Sequence, residues 1–165
     1  MGSKGRRAGQ IEYLAQAYRL HDAPGHLLRR CQQRAIDIYF DELGEAGPTP
    51  RQFAALVTIG QNPGINQTEL VQITGIDRST VGDLVVRLVK RGWIRRRRTD
   101  RDGRTNALHI TDVGLQVLER AIPAVDRAQD RIVAPLPPAM RDAFVACLRR
   151  LANLPERESS VKESA

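Results

Sequence analysis

The 165 residues carry 26 Lys and Arg against 19 Asp and Glu, a formal charge of +7, with 41% apolar but only 4% aromatic residues. That is enough chain for one domain with a real core, or a small domain with added helices, packed by aliphatic side chains rather than rings. No stretch approaches the roughly 20 continuous apolar residues of a membrane span, and the opening MGSKGRRAGQ lacks the apolar core of a secretory signal, so a cytoplasmic protein is expected.

Residues 1–10 read as a flexible polar arm in which Lys4, Arg6 and Arg7 offer weak, sequence-blind charge. From Pro24 to Phe40, Leu27, Leu28, Cys31, Ala35, Ile38 and Tyr39 recur at helical spacing, with Arg29, Arg30 and Arg34 among them. Thr49, Pro50 and Gln52 spell a capping box for a helix running to about Gly60 that buries Phe53, Leu56, Val57 and Ile59. Asn66 with Glu69 opens a further short helix whose Leu70, Val71 and Ile73 turn inward, and the segment from Thr74 to Asp77 breaks it. A second helix from about Arg78 to Arg91 puts Val81, Leu84, Val85 and Leu88 on one face. Two helices joined by three or four residues including Gly form a helix-turn-helix.

Gly92 stops that helix, Trp93 and Ile94 anchor a strand to the core, and Asp102 with Gly103 turns a hairpin that returns through Leu108 and Ile110. Thr111 caps a long helix through Leu115, Leu118, Ile122 and Val125, in which Pro123 is a candidate kink. After Pro135 and Pro137, a last helix runs from Pro138 through Phe144, Val145, Leu148 and Leu151, and residues 156–165 read as a flexible tail. The outer helices are too few to build a thick core alone, so a second copy is the economical way to bury them.

Charge is concentrated rather than spread. Between Arg87 and Arg104 nine basic residues face two acids, a local +7 that leaves the remainder formally neutral. A field of one sign on one face raises the local concentration of a polyanion. Helix Arg78–Arg91 is therefore the element expected in the major groove, its first turn offering Arg78, Ser79 and Thr80 as donors and its amino terminus favouring a phosphate. Arg87 suits backbone contact. In the hairpin, Arg104 is expected to enter the minor groove with Asp102 orienting it, and alternation lets only about half of Arg95 to Arg98 face DNA; Arg96 and Arg98 are the candidate pair, and the sequence leaves open which side they take.

Cys31 and Cys147 lie in apolar helical patterns and are expected to be small buried hydrophobes, and His21, His26 and His109 are scattered. No metal site, cofactor or nucleophile with an adjacent base emerges, so no enzyme is expected.

The segments ITGIDRSTVGDLVVRLVKRGWIRRR and TDRDGRTNALHIT resemble the winged helix-turn-helix of the multiple-antibiotic-resistance regulator (MarR) family, and the flanking helices match its plan. Asp102 and Arg104 fit the family's wing Asp-x-Arg pattern, while Gly103 departs from the arginine common between them, which lowers affinity or loosens the tip. The resemblance implies a mainly α fold with a small β hairpin: a winged helix-turn-helix domain at 48–112, and helical dimerisation regions at 11–47 and 113–155. It further implies a homodimer on a palindromic operator of double-stranded DNA, acting as a repressor released by a small aromatic acid or its acyl-CoA thioester.

By the same resemblance, His26, Arg29, Arg30 and Arg34 would meet the effector's carboxylate or phosphate, and Phe53 would border an apolar cavity. Ordinary ion pairs are the plainer role for each of these residues singly. Two alternatives stand beside this reading: a redox-responsive repressor using Cys31, and an architectural protein without sequence preference. Arg104→Ala is expected to weaken operator binding strongly without unfolding the protein; fluorescence anisotropy giving unchanged affinity would remove Arg104 from the interface.

Overall fold

A computed structural model describes Tyr13, residues 16–98 and residues 106–155. A short 3-10 turn at Leu20–Asp22 leads into α1 (Pro24–Leu43), followed by α2 (Pro50–Gln61), α3 (Gln67–Thr74) and α4 (Arg78–Lys90). The hairpin strands β1 (Ile94–Arg98) and β2 (Asn106–Ile110) come next, then α5 (Asp112–Val133) and α6 (Pro138–Leu151).

The helix starts are local chemistry. Thr49 accepts from the Gln52 amide at 3.3 Å while the Gln52 side chain accepts from the Thr49 amide at 3.0 Å. Asn66 and Glu69 repeat the exchange at 3.0 and 2.9 Å. Each box satisfies two amides that the first turn of a helix leaves without partners. Gly75 ends α3 and Gly92 follows α4, both with φ of 67–71° in the left-handed region, where a side chain would be strained.

The core is the meeting of α2, α3, α4 and the hairpin. Ala55, Leu56, Ile59, Leu70, Val81, Val85 and Leu88 are fully buried, joined by Ile94 and Leu108 from the strands. Strand β1 pairs antiparallel with β2 in the register Ile94 to Ile110 and Arg96 to Leu108. A contact the sequence reading missed ties the hairpin down: the Leu108 amide donates to the Ile65 carbonyl at 2.8 Å, and the Gly64 amide donates to the Leu108 carbonyl at 3.0 Å. The loop before α3 thus serves as a third edge for the two strands.

α1 packs along α5, and its last turn is tied there by charge. Glu42 accepts from Arg127 Nε at 2.9 Å and Arg131 Nη1 at 2.7 Å, with Asp41 3.4 Å from Arg131. Tyr39 is buried and its hydroxyl donates to the Pro48 carbonyl at 2.8 Å, fixing the loop into α2. α5 continues through Pro123 as one helix, although proline supplies no amide to the turn before it.

Two expectations need correction, and the last helix adds a third observation. Ile73 is 53% exposed rather than turned inward, because an eight-residue helix has one buried line and Leu70 occupies it. Cys31 and Cys147 are both exposed in the single chain, since the faces of α1 and α6 that carry them have no neighbour there. α6 buries no residue at all, leaving Met140, Val145, Leu148 and Leu151 exposed.

Gly114, in the first turn of α5, is a constraint with no sequence signature. A Cβ there would overlap the Trp93 carbonyl oxygen and lie 2.8 Å from Ile110 Cγ1. Gly114→Ala is therefore expected to cost about 2 kcal/mol as an overpacking defect, seen as a fall of several degrees in Tm. A Tm equal to the wild type would show that the junction relaxes freely.

Candidate nucleic-acid interface

The outward face of the helix-turn-helix is set by which residues of α4 the core claims. With Val81, Leu84, Val85 and Leu88 buried, Arg78, Ser79, Asp83, Val86, Arg87, Val89 and Lys90 remain exposed, Val89 less so than Val86. Of the residues expected to meet DNA, α4 brings together Arg78, Ser79, Thr80 and Arg87, with Thr80 half-buried.

The first turn of α4 differs chemically from the expectation. Asp77 is its N-cap: one carboxylate oxygen accepts from Ser79 Oγ at 2.6 Å and from the Thr80 amide at 2.9 Å. Hydrogen bonds from Ser79 first, then from the Thr80 side chain and amide, hold the Asp77 carboxyl well below the usual carboxylate range. The chain's own anion thus fills the place expected for a phosphate. The protons of Ser79 and Thr80 are turned toward Asp77 rather than offered outward, so Ser79 presents lone pairs to solvent.

The pairing register answers what the sequence left open in the hairpin. Arg96 opposes Leu108 and shares a sheet face with Ile94 and Ile110, whereas Arg95 and Arg97 lie on the other face opposite His109 and Ala107. Arg95, Arg96 and Arg97 are all exposed. Arg98 closes β1, and its side chain, like Asp102, Arg104 and the turn at 102–103, lies outside the described residues.

The base of the wing is anchored from α5. Thr111 donates its amide to the Trp93 carbonyl at 3.0 Å, its hydroxyl lies 2.6 Å from the Gly92 carbonyl and 3.0 Å from that of Trp93, and the same oxygen accepts from the Gly114 amide at 3.1 Å. The Arg91 guanidinium lies 4.8 Å from the Trp93 ring centroid, a cation–π contact.

The expected effector residues are not gathered in one place. Arg29, Arg30 and Arg34 line an open groove of about 660 Å³ with Cys31, but every lining residue belongs to α1, so one chain does not enclose it. His26 stands edge to face with His21 at 5.6 Å, and its buried Nε2 has no hydrogen-bond partner among the described residues. Burial, then Arg29, His21 and Arg30, push its pKa below the ordinary imidazole range. Phe53 packs against the core and lines neither this groove nor the cavity below.

A better-walled cavity of about 410 Å³ opens at the carboxyl end of α1, where no residue had been singled out as a site. Glu42 and Leu43 of α1, the loop at Ala46–Pro48, Trp93, and Val117, Arg120, Ala121 and Ala124 of α5 surround it. Its signal is tertiary: the wall joins four separate segments, none of them a motif. Its lining is mainly apolar, with Arg120 as a cation that makes no ion pair among the described residues. The Glu42 carboxylate is instead committed to Arg131 and Arg127, whose hydrogen bonds lower its pKa.

That commitment fixes the sign of an acid effect. A carboxyl with a lowered folded pKa adds stability that is complete above its unfolded value, about 4.3, and lost as pH falls through the lowered one. Melting curves from pH 7 to pH 3 should therefore show a shallower acid limb for Glu42→Gln than for the wild type. Parallel limbs would mean the cluster does not couple to folding.

A sequence model of the MarR family matches residues 46–105. The PcaV transcriptional regulator of Streptomyces coelicolor, solved in complex with its natural ligand, is 34% identical and covers 83% of this chain and 96% of that one at a TM-score of 0.78. CouR, a transcriptional repressor solved on a 23-mer DNA duplex, is 34% identical, covering 81% and 94% at a TM-score of 0.74. BpsR of Bordetella bronchiseptica, whose DNA binding is regulated by 6-hydroxynicotinic acid, is 28% identical, covering 78% and 97% at 0.73. No helix among the described residues is long and apolar enough to cross a membrane. With two regulators above 30% identity matched over nearly their whole lengths, the chain belongs to the MarR family of winged helix-turn-helix, DNA-binding transcriptional regulators.

Proposed function

We propose that the chain is a repressor that binds a palindromic operator as a homodimer and leaves it when a small aromatic acid, free or as its coenzyme A thioester, binds. The observation that carries the reading is the concentration of the whole net charge in residues 87–104, the stretch that begins on the exposed side of α4. Residues 48–112 would read DNA; 11–47 and 113–155 would pair the two copies. Pairing is supported by α6, which buries nothing within one chain, and by the exposed Leu27, Leu28, Val145, Leu148 and Leu151.

For the effector, the reading moves from the α1 arginines to the cavity beside Trp93. Its volume of about 410 Å³ falls in the range of small-molecule sites, roughly 300–1,000 Å³. An aromatic ring would lie among Val117, Ala121, Ala124 and Trp93, with Arg120 meeting the carboxylate. An occupant there touches both α5 and the root of the wing, so it can favour a half-site spacing that no longer fits DNA. Arg29, Arg30 and Arg34 remain the cations for the phosphates of a coenzyme A thioester. A redox reading rests on one observation, the exposed thiol of Cys31 among those arginines.

The test is anisotropy on the protein's own upstream DNA against scrambled duplex, with a panel of aromatic acids and their thioesters. Specific binding released by one compound, at a concentration raised about tenfold or more in Arg120→Ala, is expected. Binding equal on both duplexes would mark an architectural protein. Release only on mild oxidation, abolished in Cys31→Ser, would mark the redox reading.

A further inference from the structure

The recognition helix carries a pattern that charge does not explain. At about 100° per residue, Ser79, Asp83, Val86 and Lys90 form one stripe down the centre of the exposed face of α4, with Gly82 beside it. Arg78 and Arg87 fall on opposite edges of that stripe. Val86 is 56% exposed, and Asp83 is exposed with no hydrogen bond or ion pair among the described residues. A Cβ added at Gly82 would meet nothing within 4 Å, so the glycine is not required by the protein's own packing.

An acid and a bare valine at the centre of the most basic face oppose phosphate binding. They suit base edges. In the major groove, carboxylates accept from the cytosine N4 amine, adenine likewise shows an N6 amine, and apolar side chains meet the thymine methyl; guanine instead shows acceptors and calls for arginine or lysine. Ser79 has its proton turned to Asp77 at 2.6 Å and so presents an acceptor as well. Arg78 and Arg87, at the edges, are placed for the two phosphate walls of the groove.

We infer that α4 is an acceptor-type reader: Asp83 and Ser79 select base pairs presenting a cytosine or adenine amine, Val86 selects a neighbouring thymine methyl, and Gly82 lets the helix approach the base edges closely. The inference rests on the proposed operator binding and assigns specificity to residues that charge alone would pass over.

The experiment is selection of bound sequences from a duplex library with a randomised core, run on the full-length wild type, Asp83→Ala, Val86→Ala and Gly82→Ala, with Kd values on the selected site and its single-base changes. Asp83→Ala should lose the cytosine or adenine preference at one position per half-site, a discrimination of about tenfold, while its affinity for unrelated duplex rises or holds because an anion has gone. Val86→Ala should lose a thymine preference at an adjacent position. Gly82→Ala should melt no lower than the wild type, being a better helix residue, yet bind the selected site several-fold more weakly.

Specific binding whose base preferences are unchanged in both Asp83→Ala and Val86→Ala overturns the inference and leaves the operator reading standing. A wild type that selects no sequence overturns both. A structural role for Asp83 would move Tm, not the base chosen.

Discussion

The carbonyl group of Trp93 is held where α4, the hairpin and α5 meet. It accepts from the Thr111 amide at 3.0 Å, lies 3.0 Å from the Thr111 hydroxyl, and abuts Gly114 so closely that no side chain fits there. Residues on both sides depend on it. Toward the amino terminus, Gly92 ends α4 and the Trp93 amide donates back to the Leu88 carbonyl at 3.0 Å, so the last turn of α4 and the start of the hairpin share one anchor. Toward the carboxyl terminus, Thr111 is the N-cap of α5, the long helix against which α1 packs. The cavity that includes Trp93 and α5 in its wall therefore adjoins the point through which wing and helical framework are joined. This is the physical basis of the proposed effector position: a ligand changes an equilibrium only through contacts that differ between the two states.

Much of the reading domain was legible because its signals are local. Both capping boxes, the stop at Gly92, and the apolar line of Val81, Leu84, Val85 and Leu88 follow from residues three or four apart. What escaped was set by contacts across the chain or by the absence of a neighbour. Gly114 looks like any helical glycine until Trp93 is placed beside it. Ile65 reads as a loop residue until its carbonyl receives the Leu108 amide. Cys31 and Cys147 sit in apolar patterns yet are exposed, since a periodic stripe announces that a face wants cover without saying that the same chain supplies it.

The candidate site divides the same way. Basic residues announced a polyanion, but the sequence could not say that Asp77 would accept the hydrogen bonds of Ser79 and Thr80, turning the Ser79 hydroxyl proton back into the chain. Nor could alternation alone decide which wing arginines share the core-side face; the pairing of Ile94 with Ile110 does. The α1 arginines were conspicuous in sequence, yet on one chain they line only the open side of a single helix. The cavity, by contrast, is made of alanines, a valine, a loop and one tryptophan, residues that carry no sequence flag.

The central claim is that two copies of α4 read two half-sites on one face of the duplex. Hydroxyl-radical footprinting of the protein on its selected operator tests it most directly. The account predicts two symmetric protected patches whose centres are about 10–10.5 base pairs apart, or a multiple of that spacing, flanked by minor-groove protection where the wings lie. A single patch, or protection spread evenly along the duplex, would contradict it.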